Sequence, residues 1–236
     1  MKGTGGDRPL GRPVPDWSVR PRPPREVMRG RYVRLEPFDL ARHADALFAS
    51  YADSNWDYMA AGPFADAAEH RAYAARAMTG EDPFFYTIFD LATERPGGVS
   101  ALMRIVPEHG VIEVGNIAYA PWFQRTRAAT EAMYILAALV FDRLGYRRYE
   151  WKCNDLNVPS KRAALRLGFR FEGVFRDHMV VKGRSRDTAW FAITAEEWPA
   201  RKAAFERWLD PSNFDAAGRQ KTRLSMLIAV EEGGRG

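Results

Sequence analysis

A single cysteine, Cys153, stands in the 236 residues. That count excludes an internal disulfide framework and fits a reducing cytoplasm, the expected location. No apolar run approaches the roughly 18 residues that a membrane-spanning helix needs, and the N-terminus lacks the apolar stretch of a secretory signal. No membrane association is therefore expected. Histidine is scarce, with four in the chain, and no His/Cys/Asp cluster has metal-ligand spacing, so no metal is expected. No tandem repeat is visible, which disfavours a solenoid. Excess charge is also local. The formal net charge is +5, but residues 1–30 hold seven cations against three acids. The rest is close to balanced and offers no base-reading element, so no nucleic-acid partner is expected.

What is present is a composition 46% hydrophobic and 28% charged, that of a globular protein. The Pro/Arg-rich leader, "RPVPDWSVRPRPPREV" at 12–27, favours extended chain. A mostly solvated tail is expected, with Trp17 as the anchor if it docks. Residues 1–28 are read as this extension, 29–209 as one domain and 210–236 as a C-terminal extension of ambiguous structure.

"RYVRLEPF" (31–38) alternates like a strand. "DLARHADALFASYADS" (39–54) has helical spacing with Asp39 as N-cap, and alanine-rich 65–78 reads as a second helix. Runs at 84–91, 97–106 and 110–120 form an antiparallel meander. Residues 124–144 make the clearest helix, with an apolar stripe through Ala129, Met133, Leu136 and Val140. "RRYEWKC" (147–153) is a strand and "NVPSKRAALRLGF" (157–169) a short helix ended by Gly168. Two strands around the turn "KGRSRD" and a helix starting near Thr194 and Glu197 follow. The strand–helix–strand unit at 110–153 demands a crossover, hence a parallel pair inside an otherwise antiparallel sheet. The fold class is α/β (α+β), three-layered, with about seven strands.

Two motifs carry the chemistry. "QRTRAATEA" (124–132) opens a helix with Arg125 and Arg127, where the helix dipole is positive and a cation is unfavourable. "CNDLNVPSKRAALRLGFRFEG" (153–173) spans strand, helix and strand. Together with the element order they resemble the GCN5-related N-acetyltransferases over about residues 30–200. More narrowly they resemble the branch that includes ribosomal-protein N-terminal-amine acetyltransferases. Arg125 and Arg127 stand where that family usually has glycine.

The resemblance implies an acetyl-CoA-dependent N-acetyltransferase with the cofactor in a gap between the strands ending at Tyr119 and Cys153. Backbone groups of Ile117, Ala118 and Tyr119 would pair with pantetheine. The helix start at Gln124, Arg125, Arg127, Ala128 and Ala129 would hold the pyrophosphate, which converging N–H groups favour independently. The arginines either bind phosphate or face solvent, and a negative φ at the helix start suits them. The branch places Ser160 as proton donor to sulfur, with helix capping as its alternative role, and Asn157 as a cofactor-anchoring amide. Glu113 is the candidate general base, or else a carboxylate satisfied by a neighbouring arginine. Trp56, Asp57 and Tyr58 are read as the acceptor wall, or Trp56 as core filling. His43, His70 and His109 are read as solvated or structural, and Cys153 as a buried strand residue. The acceptor is a small amine or a peptide or protein α-amine. A homodimer is compatible with this reading, and a non-catalytic acyl-CoA-binding module is the rival.

Overall fold

Val33 and Leu35 are wholly buried, while Arg34 Nε donates to Glu36 Oε1 at 2.8 Å on the opposite face. This two-residue period makes strand β2 (Val33–Pro37). It belongs to a computed structural model that describes residues 10–233.

Two helices follow, each closed by an aspartate. Asp39 Oδ1 accepts from the Arg42 N–H ahead of α1 (Leu40–Phe48), and Asp66 Oδ1 from Glu69 N–H ahead of α2 (Ala67–Ala77). The meander is β3 (Phe84–Asp90), β4 (Arg95–Val106) and β5 (Val111–Tyr119). Helix α3 (Arg127–Ala138) crosses to β6 (Arg148–Asn154). Helix α4 (Val158–Arg166), the long hairpin β7 (Arg170–Val181) and β8 (Arg184–Thr194), and helix α5 (Trp198–Leu209) complete the domain.

The sheet has eight strands in the order β1-β2-β3-β4-β5-β6-β8-β7. The strand beyond the expected seven is β1 (Met28–Arg29), which pairs with β2. Among the described strands only β5 and β6 run parallel. A larger core fills the face covered by α3, α4 and α5, and a smaller one lies between α1–α2 and strands β3–β5. The β6–β8–β7 half of that second face stays outside the small core.

Three expectations are corrected. The leader is not a solvated tail from Leu10 onward. Trp17 Nε1 donates to Glu108 O at 2.8 Å, Arg20 N–H to Pro107 O, and Tyr86 Oη to Pro24 O at 3.2 Å. Gly110, at φ +60°, leaves the room: a Cβ there would come within 2.5 Å of the Trp17 ring. The apolar body of one tryptophan outweighs the Pro/Arg composition. The C-terminal extension forms helix α6 (Leu224–Gly233), with Leu224, Leu227 and Ile228 in the large core. "KGRSRD" is mostly strand, because β8 begins at Arg184 and only Lys182–Gly183 turn.

His43 and His70 are buried rather than solvated, and His43 Nδ1 lies 2.9 Å from Thr87 Oγ1. Among the described residues no helix is long and apolar enough to cross a membrane. No group of three or more potential ligands among them is placed to hold a metal.

Candidate active site

The parallel pairing of β5 with β6 stops at Val114↔Trp151. Beyond it β5 continues to Tyr119 along β4, and β6 continues to Asn154 along β8. The strands therefore splay, and the facing backbone edges of Gly115–Tyr119 and Lys152–Asn154 lack each other as partners. Buried backbone groups demand partners, so such a gap suits an extended ligand.

Which groups face the gap follows from alternation along the strand. Ala120 N–H donates to Gly97 O on β4 at 2.8 Å, and Ala118 is in register with Val99. The backbone of Ala118 is thus turned to β4, a correction to its expected role, while Ile117 and Tyr119 face the gap. The Tyr119 carbonyl is already engaged. It accepts from Asn55 Nδ2 at 2.6 Å and from Gln124 Nε2 at 2.9 Å.

At the top of the gap lies the α3 N-terminus. Thr126 is its N-cap: Oγ1 accepts from Ala129 N–H at 3.0 Å and donates to Phe123 O at 2.8 Å. The helix therefore starts three residues later than expected. The first-turn N–H groups of Arg127 and Ala128 have no protein acceptor among the described residues, leaving an anion-ready helix start. Arg125 precedes the helix at φ +63°, not the negative φ expected. Its family glycine position is a left-handed turn, a strain that arginine tolerates poorly. Arg127 is committed elsewhere, its guanidinium 4.4 Å over the Phe214 ring and 5.0 Å over Tyr32. The C-terminal extension supplies Phe214, so the domain-only sequence pattern carried no sign of this contact.

Glu113 lies on β5 with its side chain buried. Its Oε2 accepts from Arg104 Nη1 at 2.7 Å and pairs with Lys152 Nζ at 3.0 Å. Its Oε1 is turned toward Gly115, where a Cβ would sit 3.1 Å away. One oxygen is held by cations and the other looks along the strand toward the gap.

Across the gap, Asn157 is the N-cap of α4, its Oδ1 accepting from Ser160 N–H at 3.0 Å. The capping side chain is thus Asn157, not Ser160, and the amide nitrogen of Asn157 is left as a donor for a ligand. The Ser160 hydroxyl accepts from Trp151 Nε1 at 3.0 Å. Burial pushes the neighbouring Cys153 thiol up, and its hydrogen bond with Ser160 opposes that. The sequence reading missed Trp151. Its alternation with Cys153 on one face was visible, but not that its N–H would find Ser160.

On the acceptor side, Trp56 is core rather than open wall: it is buried against Tyr51 (5.2 Å) and Phe64 (4.8 Å). Asp57 is exposed. Tyr58 Oη reaches Leu156 O at 3.3 Å, and Lys182 Nζ donates to Trp56 O at 2.8 Å. The 53–59 turn therefore straps from β5 across to the β6–α4 loop and the β7–β8 turn. His178 on β7 has Nδ1 3.0 Å from Thr188 Oγ1. Asp177, at φ +47°, breaks the strict alternation there.

A mixed sheet split at its parallel pair, with an anion-ready helix start at the split, is an architecture suited to acyl transfer. The comparisons agree. The Acetyltransferase (GNAT) domain family matches residues 33–170. A GCN5-related N-acetyltransferase structure from Brucella melitensis is similar at TM-score 0.90 and 48% identity, covering 92% of this chain and all of that one. An acetyltransferase structure of the GNAT family from Chromobacterium violaceum has TM-score 0.77 and 37% identity, covering 82% of this chain and 98% of its own. The uncharacterized N-acetyltransferase p20 of Bacillus licheniformis is 28% identical over 161 residues, 66% of this chain and 89% of p20. The chain belongs to the GNAT acetyltransferase family and is an N-acetyltransferase.

Proposed function

We propose that the protein moves an acetyl group from acetyl-CoA to a primary amine, either a small amine or a peptide or protein α-amine, by direct attack. The observation that carries this reading is the end of β5–β6 pairing at Val114↔Trp151. It leaves an unpaired strand edge beside a helix start suited to phosphate. The residues fit the cofactor: gap-facing backbone for pantetheine, free N–H groups of Arg127 and Ala128 for pyrophosphate. The cofactor supplies the activated thioester. Asn157, through its amide nitrogen, and exposed Arg125 are the side chains within this arrangement left to anchor it.

An alkylammonium has a pKa near 10, so at neutral pH the amine is protonated and must lose a proton to attack. Glu113 Oε1 accepts that proton, directly or through water. The gap-facing Ile117 N–H stabilises charge developing on the thioester oxygen. Ser160 Oγ donates its proton to the departing thiolate, and the Trp151 N–H on the same oxygen favours that loss. Ser160 and Asn157 are also what supports the N-terminal-amine branch. The acceptor's α-amine would enter beneath the 53–59 strap.

The test is CoA release measured on the full chain with acetyl-CoA and a panel of amines, with acetylated products confirmed by mass spectrometry. Turnover of at least one amine is expected. Tight CoA binding without turnover across amines and peptides would assign the chain to non-catalytic acyl-CoA binding, and absence of both would remove the reading.

A further inference from the structure

The open half of the acceptor face carries a chain of paired charges and, beside it, a cation whose buried donor has no partner. Arg104 and Lys152 hold Glu113, Lys152 and Arg148 hold Glu150, and Arg148 also holds Glu172. Three cations meet three carboxylates. Arg186 stands beside this balanced set with no ion pair and no side-chain hydrogen bond among the described residues, and its Nε is buried without an acceptor. It lies within electrostatic reach of Arg104, Glu113 and Cys153, at the splayed end of the strands. Burial, with Arg104 beside it, lowers its proton affinity from the ordinary arginine value. On the same face of β8, two residues apart, come Thr188 and Trp190, and Trp190 Nε1 is also a buried donor without an acceptor.

A half-buried guanidinium whose Nε is buried without an acceptor is unfavourable until a lone pair meets that donor. The missing partner must offer lone pairs and negative charge. A planar carboxylate matches the guanidinium fork bidentately. A polyamine would bring positive charge against Arg186, Lys152 and Arg104. A peptide N-terminus carries a neutral amide where an amino acid carries its carboxylate. We infer that Arg186 binds the carboxylate of the acceptor, so that the acceptor is a free amino acid or a similar small amino-carboxylate. This rests on the acetyl-transfer reading for the position of the amine near Glu113.

The experiment uses the full chain with acetyl-CoA and the common L-amino acids, each against its own carboxamide. The carboxamide keeps the amine and side chain and loses only the charge. Wild type is expected to prefer at least one carboxylate by tenfold or more in kcat/KM. Arg186→Gln should erase that preference by raising KM at little-changed kcat, with CoA affinity unaltered, and Arg186→Lys should retain part of it. Equal use of carboxamides, a preference untouched in Arg186→Gln, or better use of phosphoethanolamine than of every carboxylate would overturn the inference. So would a matching loss of CoA affinity, which would assign Arg186 to the cofactor's phosphates. Calorimetry of the same ligands on the CoA-bound proteins separates the two readings. Amino acids binding wild type but not Arg186→Gln, without acetylation, would uphold the carboxylate site and remove acetyl transfer. Neither binding nor turnover would remove both.

Discussion

Trp151 Nε1 and Ser160 Oγ are joined by a 3.0 Å hydrogen bond across the β6–α4 corner. The indole is donor only, so the serine hydroxyl accepts it and can give its own proton, at rest toward the Cys153 sulfur. That bond fixes where the hydroxyl points and draws electron density from Oγ. If Ser160 protonates the leaving thiolate, Ser160→Ala should lower kcat about 100-fold with CoA affinity nearly unchanged. Trp151→Phe keeps most of the packing and removes the N–H, and should lower kcat about tenfold. The double variant should be no slower than Ser160→Ala, because the two act as one unit. Additive losses in steady-state kinetics would separate them.

Arg125 supplies a second expectation. Its φ of +63° is one that glycine adopts freely. Arg125→Gly should therefore stabilise the apo protein by about 1 kcal/mol. It should also weaken CoA binding and flatten its salt dependence, if the exposed guanidinium meets phosphate. Arg127→Ala should behave oppositely: it gives up contact with Phe214 and Tyr32 and lowers apo stability, with a smaller effect on CoA. Urea unfolding and calorimetry at two salt concentrations check both.

The leader ties the end of the sheet farthest from the gap. A chain starting at Met28 loses the Trp17–Glu108 and Tyr86–Pro24 contacts. It should unfold on the order of 2 kcal/mol more easily, yet bind CoA as the full chain does. A large loss of CoA affinity in the folded truncation would contradict this placement.

His43 and His70 make stability depend on pH. Burial, the largest influence, lowers both below the ordinary histidine value. For His43, Glu36 opposes it; for His70, the hydrogen bond to the Ala44 carbonyl does. Both take up a proton less readily in the fold than in the unfolded chain. In the unfolded chain they take up protons near pH 6.5. The unfolded state thus binds more protons below that pH, and stability falls as pH drops through about 6.5 toward the lowered folded values. Chemical unfolding at pH 7.5, 6.5 and 5.5 should show this fall, with a shallower slope in His70→Gln. An unchanged slope would mean that His70 binds protons equally in the folded and unfolded states.

The architecture was legible where local chemistry and tertiary packing agree. Asp39, the α3 stripe and the β-α-β crossover each state their structure in neighbouring residues. Tyr119, Gln124 and Ser160 were marked as candidate positions by the family resemblance. Their partners were not, because Asn55 reaches Tyr119 from 64 residues away and Phe214 reaches Arg127 from the far terminus. Arg186 was hidden differently. Four charged residues in "KGRSRD" look like a solvated turn, although Arg186, Thr188 and Trp190 already alternate as a strand face would. Strand β1 is too short to carry any period and exists only through its pairing with β2.

The uneven covering of the sheet has a consequence for how such a protein changes over time. Helices α3, α4 and α5 bury the donor side in one continuous core, so a substitution there disturbs packing as well as cofactor binding. The β6–β8–β7 half of the other face lies outside the small core. If Arg186 meets the acceptor's carboxylate, side chains on that half answer to the incoming amine more than to the small core. New acceptor preferences can arise on that strand pair one residue at a time, while the acetyl-donor half is inherited intact.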